Sequence, residues 1–123
     1  MSLTEGKNIL VYVETAGDTP VGPALEILAK AKELAGAKGE KVIAAVLAKE
    51  PDAAARTAIE AGADEAVIVK TEEKRPEVRA AMLAKLVEKY TPALVLAAAM
   101  GFAGGFVGAK YGGGSKGVIQ LSL

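Results

Sequence analysis

Residues 8–14 read Asn-Ile-Leu-Val-Tyr-Val-Glu, an unbroken apolar run between two polar ends. A strand with one wet face alternates apolar and polar residues. A short run without alternation fits a strand covered on both faces, as parallel sheets require. Residues 41–47 (KVIAAVL), 65–69 (EAVIV) and 93–98 (ALVLAA) repeat the pattern. Between them the period changes. Leu25, Leu28, Ala29, Lys32 and Leu34 recur at helical spacing, which predicts a helix over 23–37 opened by Pro23 and ended by Gly36 and Gly39. Asp52 suits an N-cap or first-turn acid for a shorter helix over 52–60, stopped by Gly62. Residues 76–90 carry one apolar stripe (Val78, Met82, Leu83, Leu86, Val87) with charges opposite. Strands alternating with helices imply an α/β domain with a mostly parallel sheet and right-handed crossovers that put helices on both faces.

The pattern breaks after Ala99. Residues 101–117 (GFAGGFVGAKYGGGSKG) hold eight of the fourteen glycines, and 118–123 (VIQLSL) read as a terminal strand at an edge. The domain organisation expected is a leader over 1–7 and one α/β domain over 8–123, with about five strands and a glycine-rich segment at 101–117.

Composition narrows the chemistry. Fifteen basic and fifteen acidic residues cancel among 123 and are interspersed. Nucleic acid rewards a clustered basic face, and anionic membranes a polybasic patch, so neither is an expected partner. The chain has no cysteine and no histidine. That excludes disulfides, thiolate or imidazole metal sites, a cysteine nucleophile and a Ser-His-Asp triad. No nucleophile–base pair is evident, so no catalytic residue is assigned and an independent enzyme is not expected. No signal peptide or membrane-length apolar run is present, and a cytoplasmic protein is expected.

The glycine-rich segment is the first candidate site. It follows a strand, where open α/β sheets place ligands, and glycines let several backbone N–H groups face a phosphate. The P-loop pattern fails, because Lys110 and Lys116 follow Ala109 and Ser115 rather than glycine. Gly112, Gly114 and Gly117 meet a dinucleotide spacing but lead into a strand, the wrong context. Gly101, two residues, Gly104, nine residues and then Gly114-Ser115 resemble the nucleotide loop of universal stress proteins. That resemblance implies a cradle for the phosphates of AMP or ATP at Gly101, Gly104, Gly114 and Ser115. Its alternative is a plain connector back to the final strand. Glu14 ends the first strand at the same sheet edge, where its carboxylate suits a ribose hydroxyl or an adenine amine, or else a solvated capping role. Lys110, Tyr111 and Lys116 are candidates to pair phosphates or stack a ring, and residues 70–75 (KTEEKR) read as a solvated loop.

Several segments together resemble the N-terminal domain of the electron transfer flavoprotein alpha subunit. Residues 7–15 (KNILVYVET) look like its opening strand and 25–35 (LEILAKAKELA) like its first helix. Residues 62–69 (GADEAVIV) are similar to its glycine-alanine-aspartate element before a strand, and 90–96 (YTPALVL) to the entry to its fourth strand. The likeness spans about residues 7 to 100. It implies a Rossmann-like three-layer domain of the adenine nucleotide α-hydrolase type, the superfamily that also holds the universal stress proteins. It further implies an association module that meets a beta-type subunit or itself. FAD is expected only with a missing domain or partner. The family's Gly-Arg pair after the fourth strand is replaced here by Gly104-Gly105-Phe106.

Overall fold

The computed structural model describes residues 6–98 and 118–121. In chain order it runs β1 (Ile9–Val13), β2 (Thr15–Ala16), β3 (Thr19–Pro20), α1 (Gly22–Lys38), β4 (Val42–Ala48), α2 (Asp52–Ala61), β5 (Glu65–Lys70), α3 (Pro76–Tyr90), β6 (Leu94–Ala98) and β7 (Val118–Leu121). Five strands form one parallel sheet in the order β5-β4-β1-β6-β7. The chain therefore builds outward from β1 to β5, crosses back, and continues on the other side of β1. This is the doubly wound order of a Rossmann-like fold.

Successive β1 side chains serve opposite faces. Ile9, Val11 and Val13 pack with α1 and α2 residues such as Ile27, Leu28 and Ala58. Leu10 and Tyr12 pack with Leu83 and Val87 of α3. The result is three layers, with α1 and α2 on one face and α3 on the other, as the predicted crossovers require. All five residues of β1 and all seven of β4 are buried. Each fully buried Leu, Ile or Val contributes about 1.5–3 kcal/mol of transfer free energy. The sequence rule for two-face burial holds best in these two strands.

Three local departures from the predicted elements have physical reasons. The α1 core face is Ala24, Ile27, Leu28, Ala31 and Ala35, so Leu34 and Lys32, included in the predicted stripe, lie on the outer side. Small alanines there let the helix sit close to the sheet. Asp52, by contrast, takes one of its two expected roles, the first-turn acid of α2, with Pro51 as the N-cap. Thr15 reads in the sequence as the end of the first strand and residues 16–20 as a turn; in the structure 15–20 pair as the antiparallel hairpin β2-β3. Gly17 has φ +65° and Asp18 a negative φ, the signs expected of a type II′ turn. Gly6 and Lys7, assigned to the leader from sequence, pack against the α3–β6 junction. The Lys7 amide donates to the Thr91 carbonyl at 3.2 Å, and a Cβ on Gly6 would lie 2.7 Å from the Pro92 oxygen.

The glycine-alanine-aspartate element proves to be a structural joint. Gly62 caps α2 at φ +137°, and a Cβ there would sit 3.3 Å from the Leu28 carbonyl of α1. Ala63 is buried. The Asp64 carboxylate accepts from the Val42 amide at 2.8 Å and from Lys32 Nζ at 3.0 Å, while the Asp64 amide donates to the Val42 carbonyl. One residue thus ties α1, β4 and the start of β5.

The Val42 amide, followed by the Lys32 ammonium, holds the Asp64 carboxyl below its ordinary value of 3.8. Its folded pKa lies below the unfolded one. The stabilisation is therefore complete above about pH 4 and is lost as pH falls through the folded value. Asp64→Ala should cost about 1–2 kcal/mol at pH 7 and flatten the acid limb of stability below pH 4, as measured by urea unfolding across pH.

Candidate functional site

Reversal of strand order at β1 leaves a crevice at the carboxyl edge of the sheet, where open α/β sheets place ligands. There the structure holds a cleft of about 470 Å³. Its floor is Tyr12 and Leu47, near the ends of β1 and β4. One wall is the segment from Glu14 to Asp18, and the opposite wall is the loop between β5 and α3 together with Arg79.

The first wall follows from the hairpin. The Glu14 carbonyl accepts from the Val21 amide at 3.0 Å, closing β2-β3 back onto α1. Asp18 at the tip accepts from the Glu50 amide at 3.2 Å, which anchors the hairpin to the loop after β4. The Glu14 side chain is half-buried and makes no hydrogen bond among the described residues, so its carboxylate remains available at the cleft rim.

The second wall is built around Arg79. Its Nε and Nη2 donate to the Tyr12 hydroxyl at 3.1 and 3.0 Å. Nη2 also donates to the Leu47 carbonyl at 2.7 Å, and Nη1 to the Glu73 carbonyl at 2.8 Å. The guanidinium carbon lies 6.0 Å from the Tyr12 ring centroid. A planar fork with five donors can bridge β1, β4 and the loop at once, which a lysine cannot do. The loop is ordered by its own charges. The Glu73 amide donates to Thr71 Oγ1 at 3.0 Å, and the Glu73 carboxylate accepts from the Lys74 and Arg75 amides and from the Arg75 guanidinium. The Arg75 guanidinium, with the Arg75 amide behind it, lowers the Glu73 carboxyl to about 2. Within the charge run at 70–75, residues 71–74 therefore form a bonded wall of the cleft rather than simply a solvated loop.

The donors of Arg79 are largely spent on internal acceptors, and Lys49 pairs with Glu72 at 3.8 Å. Among the described residues the cleft offers acceptors at Glu14, Asp18 and Thr15, with Lys74 as the one lining cation whose side chain no described residue engages. Its described walls suit a ligand end rich in N–H and O–H donors, such as a sugar or an amino-purine edge. No group of three metal-ligating side chains is found among the described residues.

Of the sequence-predicted site residues, the structure places Glu14 at this cleft. Gly101, Gly104, Gly114 and Ser115 lie outside the described residues, as do Lys110, Tyr111 and Lys116. The topology fixes their neighbourhood only at the ends: the described chain leaves β6 at Ala98 beside β1 and re-enters the sheet at Val118. Tyr12, Arg79 and Asp18 were missed. A signal for Arg79 was present, since it stands four residues before Leu83 and so shares the buried stripe of α3.

Residues 9–113 match the family model described as "Electron transfer flavoprotein domain". The chain belongs to the electron transfer flavoprotein domain family. The chain is also similar in fold to universal stress proteins. That from Archaeoglobus fulgidus superimposes with a TM-score of 0.61 at 16% identity, covering 93% of this chain and 92% of the other. A universal stress protein from Archaeoglobus fulgidus in complex with dAMP gives 0.58 at 16%, covering 93% and 96%. A universal stress protein in complex with cAMP gives 0.61 at 21%, covering 95% and 97%. At these identities the likeness shows the shared fold. No match is found among curated proteins. No helix among the described residues is long and apolar enough to cross a membrane.

Arg79→Ala should destabilise the domain by about 2–3 kcal/mol, because the Tyr12 hydroxyl and two carbonyls lose charge-assisted donors. Arg79→Lys should recover less than half of that in denaturant unfolding. NMR titration should show the Glu73 carboxylate ionised at pH 3, well below the ordinary midpoint of 4.5.

Proposed function

We propose that this domain is an alpha-subunit-type association module of an electron transfer flavoprotein, working in the cytoplasm and without chemistry of its own. The observation that carries this reading is the family match over residues 9–113, nearly the whole of the domain. In this reading FAD binds only when a further domain or a beta-type subunit completes the site. Mixing with a cognate beta-type subunit should give a stable complex by size exclusion, while the chain alone shows no flavin bands in its absorbance spectrum. A monomer indifferent to every such subunit overturns the reading.

A second reading is favoured by a specific observation, the cleft at the strand-order reversal with Glu14 unengaged at its rim. In it the domain binds an adenine nucleotide, Glu14 accepting from the nucleoside end. The neighbours solved with dAMP and cAMP share the fold and support this reading. AMP at ten times its Kd should stabilise the native state by about 1.4 kcal/mol. That corresponds to a rise in melting temperature of several degrees, and Glu14→Gln should reduce it. An unchanged melting temperature at millimolar AMP contradicts it.

A further inference from the structure

Among the described residues β5 stands at one end of the sheet and pairs with β4 alone. The Thr71 amide donates to the Ala48 carbonyl at 2.9 Å, which sets the phase of the ladder: odd-numbered residues of β5 direct their backbone groups to β4. Alternation then turns the N–H and C=O groups of Ala66, Ile68 and Lys70 outward. Such an edge is a template for another strand, and proteins usually blunt it with proline, a bulge or a charge in mid-strand. β5 (EAVIVK) has no proline or glycine, and its charges lie only at its ends. Ile68 at its centre is 42% exposed, and Ile59 of α2, the helix packed beside it, is 48% exposed.

We propose that the β5 edge is an interface at which two copies of this chain pair antiparallel about a two-fold axis at Ile68, joining two five-stranded sheets into one. An axis perpendicular to the sheet preserves its faces, so only residues on the same face can stand opposite each other. Centred on Ile68, the register sets Ile68 against the second copy's Ile68, and Ala66 against its Lys70. Every outward backbone group of the strand then has a partner. A shift by one pair leaves outward groups of a terminal residue without one. On the α3 face the same register sets Val67 against the second copy's Val69, two half-buried residues already packed on that face's core. The charges agree. Lys70 stands opposite the second copy's Ala66 and not its Lys70, so the like charges of the two strands are kept at opposite ends of the ladder. This self-complementarity favours a second copy over an unrelated strand. The interface stands apart from the carboxyl-edge cleft and does not depend on what that cleft binds.

The test is the mass of the full chain by light scattering after size exclusion, over roughly 1–200 µM. The expected result is a rise with concentration from 12.5 kDa toward twice that value. Ile68→Lys should weaken dimerisation by about tenfold or more while leaving the far-ultraviolet dichroism unchanged. Because the chain has no cysteine, Ile68→Cys under mild oxidation should give a covalent dimer, and Leu34→Cys, exposed on α1, should not. If Ile68→Lys fails to fold, this pair of cysteine variants decides. A monomer throughout the range, a dimer that Ile68→Lys leaves intact, or equal cross-linking of the two cysteine variants overturns the proposal. So does a chain that stays monomeric alone and uses this edge only for a different subunit.

Discussion

β1 is hydrogen-bonded on both sides and buried on both faces, and the remaining elements are placed by that double demand. Its odd residues meet β4 and the α1–α2 layer, while its even residues meet β6 and the α3 layer. Asn8, just ahead of it, adopts φ +74° so that its side chain accepts from the Lys41 amide while its carbonyl accepts from the Ala93 amide. One residue thus sets the register of three strands at the amino edge. At the other edge the two neighbours of β1 lead away in opposite directions, which opens the crevice. The hairpin after β1 and the loop before α3 form its walls because both leave the sheet there.

The elements with strong physical signatures were legible in the sequence. β1 and β4 were readable because burial on both faces removes polar residues from a short run. α3 was readable because fifteen residues give four turns of one stripe. The β2-β3 hairpin was not, since two-residue strands carry no periodicity and Gly17-Asp18 signals only a turn. The face of α1 was misjudged because its core contacts are mostly alanines, which a hydrophobic pattern weights lightly. At the site, Glu14 was found by position alone. Arg79 escaped because an arginine in a first turn reads as surface, and its role depends on a tyrosine 67 residues earlier. Asp64 was recognised as part of a family element, but its work is to hold β4 and β5 in register.

The family relation and the cleft are complementary. The joints at Asn8, Asp64 and Arg79 give this domain of the electron transfer flavoprotein family a braced frame at three places around the sheet. Arg79 is the link between frame and site. It fixes the cleft wall by spending its donors internally, and so leaves acceptors facing the space. The sheet edge at β5 is separate from this machinery, which allows association and ligand contact to occupy different parts of one small domain.

The central claim is that the carboxyl edge around the end of β1 is the working edge of the domain. Amide chemical-shift mapping on the full chain, with AMP or a cognate beta-type subunit added, tests it most directly. Perturbations are expected to concentrate at Glu14–Asp18, the segment after β4 and the Thr71–Arg79 wall. Perturbations centred instead on the amino edge, at Asn8, Lys41 and Thr91, would contradict it.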